Sequence, residues 1–113
     1  MHIHGGGGHD FTECTEEAFR TATHAHLLHG ATTIFPTLSA SPFDKLHQAA
    51  ALCEKMMQEP GSPVEGLHIE GPYLNPKMAG EQFAGQVKAI DEKEYKELLE
   101  STNCIRRWDA SPE

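Results

Sequence analysis

Short β-rich segments alternate with amphipathic segments along this chain, at intervals of roughly thirty residues. The β-rich segments are the opening residues up to His4 and the runs 32–35, 64–69 and 105–110. This alternation predicts βαβ units, which build a parallel sheet covered by helices. In such sheets ligands bind at the carboxyl ends of the strands, here the residues after His4, Phe35 and Ile69.

The first two β-rich segments bracket a predicted helix. Thr15 is suited to cap it because two glutamates follow, and Gly30 is suited to end it. The next strand is predicted over 32–35, with Pro36 closing it.

Two further helices are predicted from their caps. Ser41 as N-cap and Pro42 as first helical residue begin the second helix, which 60–61 ends. Asp91 and Glu94 resemble a capping pair for the third. Residues 73–89 lack a period and are predicted to form an extended loop.

Composition limits the classes of function. The 113 residues suit one domain, 1–113, and 17 acidic against 9 basic residues give a formal charge of −8. This charge disfavours nucleic-acid and membrane-surface binding. The apolar runs are too short for a membrane span and no signal segment is recognisable, so a cytoplasmic location is expected. Three separated cysteines predict reduced thiols without a disulfide framework.

The opening histidines form the first candidate metal motif. His2 and His4 are two residues apart, so on a strand both imidazoles face one side. A disordered terminus or the remnant of an expression tag is an alternative interpretation. Gly5–Gly8 permit close backbone approach to a ligand, or else form a flexible linker.

Glu70 is the second candidate. It ends an apolar strand two residues after His68, and a carboxylate there needs a cation, either a metal ion or a lysine. The remaining histidines carry no complete ligand set: His24, His26 and His29 are interpreted as helix surface or packing residues, and His9 is left unassigned.

Three ordered motifs, HIHGGGG (2–8), TTIFPT (32–37) and GLHIEGPYLNPK (66–77), closely resemble N-acetylglucosamine-6-phosphate deacetylases of the amidohydrolase superfamily. The resemblance spans nearly the whole chain and includes 108–113, which looks like the family's fourth strand. It implies an α/β fold that is part of a (β/α)₈ TIM barrel, about the first three βα units plus strand four.

The resemblance also implies site residues. Glu70, His2 and His4 would bind a divalent metal ion, with Zn²⁺ or Fe²⁺ expected, and Glu81 and Gln82 would contact substrate. Some family members carry histidine where this chain has Gln82.

The implied reaction is hydrolysis of the acetamide of N-acetylglucosamine 6-phosphate to glucosamine 6-phosphate and acetate. The metal ion would activate water and polarise the amide carbonyl. The general acid/base aspartate and two metal-binding histidines lie on later strands of the family's barrel, which needs about 250 residues. We therefore expect an incomplete fragment that is inactive alone, and a homo-oligomer for a full-length protein.

Alternatives remain at this point. Another amidohydrolase activity keeps the HxH motif but changes the substrate, whereas a truncated α/β fragment would bind metal weakly and catalyse nothing. An open half-barrel with an apolar sheet interior would also predict self-association.

Overall fold

The computed structural model describes residues 1–80, 82 and 85–113 of the chain. Its elements, in chain order, are β1 (His2–Ile3), β2 (Gly5–Gly6), β3 (His9–Asp10), a 3₁₀ helix (Phe11–Glu13), α1 (Glu16–Leu28), β4 (Phe35–Leu38), α2 (Phe43–Met57), β5 (Leu67–Glu70), α3 (Glu92–Ser101) and β6 (Ile105–Asp109).

Four strands form one parallel sheet in the order β1-β4-β5-β6. Consecutive parallel strands are therefore neighbours, and a helix lies between each pair along the chain. The expected α/β class with a parallel, helix-covered sheet is confirmed. β2 and β3 form a separate antiparallel hairpin directly after β1.

The N-caps predicted for two helices are present, although Glu94, the proposed second member of the Asp91 pair, binds Lys88 instead. The Thr15 side chain accepts a hydrogen bond from the Ala18 backbone N–H at the start of α1. Asp91 accepts from the backbone N–H groups of Lys93 and Glu94 at the start of α3. Because these contacts are local, they follow from residue type and spacing alone.

The predicted end of the second strand is wrong. β4 covers Phe35–Leu38 and includes Pro36, so it begins and ends three residues later than the predicted 32–35. Proline lacks an N–H and is unusual inside a sheet, but it removes only one hydrogen bond. Phe35 N still donates to Met1 O at 2.8 Å, and Pro36 keeps its register with Ile3.

The cap of the second helix also differs by one residue. The Ser41 hydroxyl donates to Ser39 O at 2.7 Å, and Pro42 is the N-cap without a side-chain hydrogen bond. The Ser41 hydroxyl, predicted to cap the helix, thus stabilises the bend between β4 and α2 instead.

One face of the sheet carries the hydrophobic core. Ile3, Leu38 and Ile69 come from three neighbouring strands and are at most 9% exposed. They belong to one buried cluster with residues from the three helices, including Phe19, Leu46 and Leu98. Helix packing against this face fixes the strands in the register that positions the site.

The opposite face is polar, which corrects the expected apolar interior. His68, Glu70 and Asp109 contact other polar side chains there. Self-association of the chain stays a prediction. Within the described residues, no helix is long and apolar enough to cross a membrane.

Candidate metal centre at the carboxyl edge of the sheet

The two opening histidines lie side by side in the fold. Their Nε2 atoms are 3.1 Å apart. The chain around them is held at both ends, since Phe35 N donates to Met1 O at 2.8 Å and Phe11 N donates to His4 O at 2.9 Å. The interpretation of this segment as a disordered terminus is wrong for the fold observed.

Glu70 ends β5 with its carboxylate between these two imidazoles. Oε1 lies 3.1 Å from His2 Nε2, and Oε2 lies 3.2 Å from His4 Nε2. The carboxylate side chain is 17% exposed. Among the described residues its ion-pair partners are these histidines and not a lysine, so the lysine alternative fails.

The spacing of these atoms suits a small divalent cation. Ligand atoms around a tetrahedral Zn²⁺ with bonds of about 2.0–2.1 Å are roughly 3.3 Å apart. The separations of 3.1, 3.1 and 3.2 Å are close to that value, and they join the two Nε2 atoms to each other and each Nε2 to a different oxygen of Glu70. Two imidazoles and one carboxylate are a donor set that Zn²⁺ and Fe²⁺ both accept.

The protonation of His2 favours coordination. Burial lowers the pKa of His2 below its ordinary value; the Glu70 carboxylate acts in the opposite direction, and the Arg107 guanidinium adds to the lowering. An imidazole must be neutral to bind a metal ion. The lowered pKa of His2 thus favours the form that can bind a metal ion.

His68 is a third imidazole in the same place. One ligand atom each from His2, His68 and Glu70 lie within 4.8 Å of one another, a group able to hold a metal ion. The rings of His2 and His68 meet edge to face, with centroids 4.8 Å apart. The geometry therefore offers His68 beside the sequence-predicted His4.

The glycines after His4 form an ordered turn, which contradicts a flexible linker. Gly7 and Gly8 have φ of +61° and +86°, a region that favours glycine. A Cβ on Gly5 would lie 2.2 Å from His9 O, so the hairpin closes only without a side chain.

No family model matches the chain. Human N-acetylglucosamine-6-phosphate deacetylase is 29% identical over 103 residues, which cover 88% of this chain and 25% of the human protein. An N-acetylgalactosamine-6-phosphate deacetylase from Shewanella sp. (strain ANA-3) is 31% identical over 114 residues, covering 98% of this chain and 28% of that protein.

Solved structures similar to this chain are also deacetylases. The N-acetyl-D-glucosamine-6-phosphate deacetylase of Mycobacterium smegmatis superposes with a TM-score of 0.88 at 25% identity, covering all of this chain and 30% of its own. Over its whole length the chain matches an amino-terminal fragment of the N-acetylglucosamine-6-phosphate deacetylases.

A mutant of the Mycobacterium smegmatis deacetylase, in complex with N-acetyl-D-glucosamine-6-phosphate, matches with a TM-score of 0.87 at 26% identity, over 99% of this chain and 29% of its own. The chain spans 25% to 30% of the length of the curated deacetylases it matches.

Of the two residues expected to contact substrate in a deacetylase, Gln82 lies at the site. Its Nε2 donates to Glu70 Oε2 at 3.3 Å, and its Oε1 accepts from the Ala40 backbone N–H at 2.8 Å. The carboxamide thereby links the Glu70 carboxylate to the end of β4. Glu81 lies outside the described residues.

Sequence reasoning left several residues near the deacetylase motifs without a role. Asp109 lies 3.1 Å from His68 Nε2 through Oδ2, and Ser39 Oγ lies 3.3 Å from His4 Nδ1. His26, interpreted as a surface or packing residue, has its Nε2 2.8 Å from Gly5 O and so holds the glycine turn against α1.

One feature of the sequence would have indicated Asp109 as a site residue. In 105–109 alternate residues share a face, so Asp109 and Arg107 point together. Its pairing with Glu70 depends on the register between β5 and β6, which local sequence does not determine. The His26 contact, made across 21 residues, left no signal.

Proposed function

We propose that this chain forms the amino-terminal part of an enzyme that hydrolyses the acetamide of an N-acetylhexosamine 6-phosphate, releasing acetate. The observation that carries the proposal is the meeting of His2, His4 and Glu70 at the carboxyl edge of a parallel sheet. N-acetylglucosamine 6-phosphate is the proposed substrate, because one of the matching structures holds it.

The proposed architecture is a partial (β/α)₈ barrel in which residues 1–113 are one portion. Sheet order that follows chain order, with parallel neighbours and intervening helices, supports this, since barrels are built in that way. A whole barrel needs about 250 residues. In this proposal further ligands and the general acid/base aspartate come from residues beyond these 113.

The proposed metal ligands are His2, His4 and Glu70, with Zn²⁺ or Fe²⁺ as the ion. When bound, such an ion activates water and polarises the amide carbonyl. The chain's own residues fix the donors: Ser39 contacts the far nitrogen of His4, and Gln82 contacts Glu70. Outer contacts of this kind orient ligands and raise metal affinity.

Glu81 and Gln82 remain the proposed substrate contacts. The hydrogen bond from Gln82 to Glu70 supports a location at the mouth of the site, where an acetamide would approach the ion. We also propose a cytoplasmic enzyme that is a homo-oligomer in a longer protein.

Calorimetric titration with Zn²⁺ tests the centre, using the unmodified chain, Glu70→Gln, and Glu65→Gln as a matched control on the exposed surface. One ion should bind, and Glu70→Gln should weaken binding by about 100-fold because a charged ligand becomes a neutral amide. Glu65→Gln should bind as the unmodified chain does. Equal binding by Glu70→Gln would contradict the proposed ligand set.

Acetate release from the N-acetylglucosamine and N-acetylgalactosamine 6-phosphates, with Zn²⁺ or Fe²⁺ present, tests the reaction. We expect no turnover from these 113 residues. Turnover that disappears in Glu70→Gln would mean that self-association supplies the remaining groups. Turnover that survives in Glu70→Gln would contradict the role of this carboxylate.

A further inference from the structure

His68 is almost fully enclosed at the bottom of the polar cluster, with 1% of its surface exposed. A buried imidazole with unpaired nitrogens would be costly, and both of its nitrogens have partners. Nδ1 lies 3.3 Å from Thr37 Oγ1, and Nε2 lies 3.1 Å from Asp109 Oδ2. Three neighbouring strands therefore meet through this one ring.

The partners determine what each nitrogen of His68 does. Asp109 accepts a hydrogen bond from the Arg107 guanidinium, Nε to Oδ1 at 2.9 Å, and a carboxylate paired with a guanidinium only accepts. Nε2–H of His68 must then be the donor to Asp109. The Thr37 hydroxyl donates to Phe35 O at 3.0 Å, and its oxygen lies 3.3 Å from His68 Nδ1, so the second ring nitrogen also faces a protein atom.

Both ring nitrogens of His68 therefore face protein partners, and Nε2 carries the proton that it donates to Asp109. Binding a metal through Nε2 would require the ring to give up its proton to Asp109 and lose that contact. His2 and His4 differ, because the carboxylate that their Nε2 atoms face belongs to Glu70, which is itself a proposed ligand. A cation among these three groups would replace the protons they share, whereas the Asp109 carboxylate is already paired with Arg107. A metal group that includes His68 is thus close in distance but unfavourable in hydrogen bonding.

Asp109 is itself fixed on two sides. Arg107 Nε donates to Oδ1 at 2.9 Å, and Gly71 N donates to the Asp109 carbonyl at 2.9 Å. The second bond ties the residue after Glu70 to β6. The His68–Asp109 pair therefore joins the ends of β5 and β6 directly beside the Glu70 carboxylate.

We propose that His68 is a positioning residue of the metal centre and not one of its ligands. Held by Asp109 and Thr37, its ring supports the ring of His2 from the side and keeps β5 and β6 together next to Glu70. The inference rests on the proposed function, because it requires a metal ion at His2, His4 and Glu70.

Nitrogen NMR of the histidine rings in the full chain tests this directly. Titration with Zn²⁺ should shift the Nε2 resonances of His2 and His4 to positions typical of coordinated imidazole. The His68 ring should keep its Nε2–H and show only small changes. A coordinated shift at His68 would overturn the inference and leave the proposed function intact.

A titration in which none of the three rings shifts would overturn both proposals, so the two failures are distinguishable. His24, exposed on α1, serves as the internal reference that should not respond.

A second experiment compares Asp109→Ala with Asp109→Asn. The carboxamide oxygen of asparagine still accepts from His68 Nε2–H, whereas alanine removes the partner. Asp109→Ala should weaken Zn²⁺ binding by about 10- to 100-fold, as loss of an outer contact typically does, and Asp109→Asn should restore most of it. The visible spectrum of bound Co²⁺, which reports the ligand set, should be the same in both variants. A changed Co²⁺ spectrum in Asp109→Asn, or affinity equal to the unmodified chain in Asp109→Ala, would overturn the positioning role.

Discussion

The two faces of β5 differ completely in chemistry although they belong to four consecutive residues. Leu67 and Ile69 are fully buried among helix side chains. His68 and Glu70 point the other way, into contacts with other titratable groups. The alternation of a strand thus separates the residues that stabilise the fold from those that we propose bind the metal ion.

The two faces of β5 should contribute to different free energies, one to folding and the other to metal binding. Burying an aliphatic side chain contributes about 1.5–3 kcal/mol relative to leaving it exposed. Assembling imidazoles and carboxylates costs desolvation, which pairing only partly returns. We therefore expect substitutions on one face to change the free energy of unfolding, and substitutions on the other to change metal affinity.

The largest effect should come from the apolar face. Ile69→Ala removes a fully buried side chain and should lower the free energy of unfolding by about 2–5 kcal/mol. Chemical denaturation followed by circular dichroism measures this. A loss below about 1 kcal/mol would show that the face contributes less than its burial implies.

The second effect belongs to the polar face. His4→Ala removes a proposed ligand and should weaken Zn²⁺ binding by at least tenfold, about 1.4 kcal/mol, while the metal-free chain unfolds nearly as before. His24→Ala, on an exposed position of α1, is the matched control and should bind normally. If both variants bind Zn²⁺ equally well, the polar face does not supply the metal ligands that we propose.

Sequence reasoning reached the local features and missed the distant ones. Thr15 and Asp91 were assigned as caps correctly because a cap depends on the next few residues. Pro36 was misjudged because its tolerance depends on what the neighbouring strands do. The contact of Asp109 with His68 spans 41 residues and depends on strand register, so no local pattern contained it.

The candidate ligands were nevertheless found from sequence, because two short motifs at strand ends were enough. His2 with His4 and His68 with Glu70 each keep the spacing of two that puts side chains on one side. Which imidazoles contact the carboxylate required the fold.

A smaller effect is expected at the glycine turn that follows His4. His26→Ala removes the hydrogen bond from α1 to Gly5 O, worth about 0.5–1.5 kcal/mol. Because the turn follows His4 directly, Zn²⁺ affinity should fall a few-fold together with stability. Calorimetry and chemical denaturation of the same sample measure Zn²⁺ affinity and the free energy of unfolding. If neither changes, His26 does not stabilise the glycine turn.

A last effect is a pH dependence at Tyr73, in the loop after β5. Burial raises the pKa of Tyr73 to about 12 from an ordinary value of 10.0. Since the folded chain favours the neutral phenol, its contribution is complete below pH 10 and is lost as the pH rises toward 12. The free energy of unfolding should therefore decline more steeply in the unmodified chain than in Tyr73→Phe over that interval. Parallel slopes for the two proteins would contradict the burial of this hydroxyl.

The most direct measurement of the central claim is anomalous X-ray scattering from a crystal of the chain grown or soaked with Zn²⁺. We predict one zinc peak about 2.0–2.2 Å from His2 Nε2, His4 Nε2 and a Glu70 oxygen, with His68 still hydrogen-bonded to Asp109. A zinc ion bound to His68, or bound away from Glu70, would contradict it.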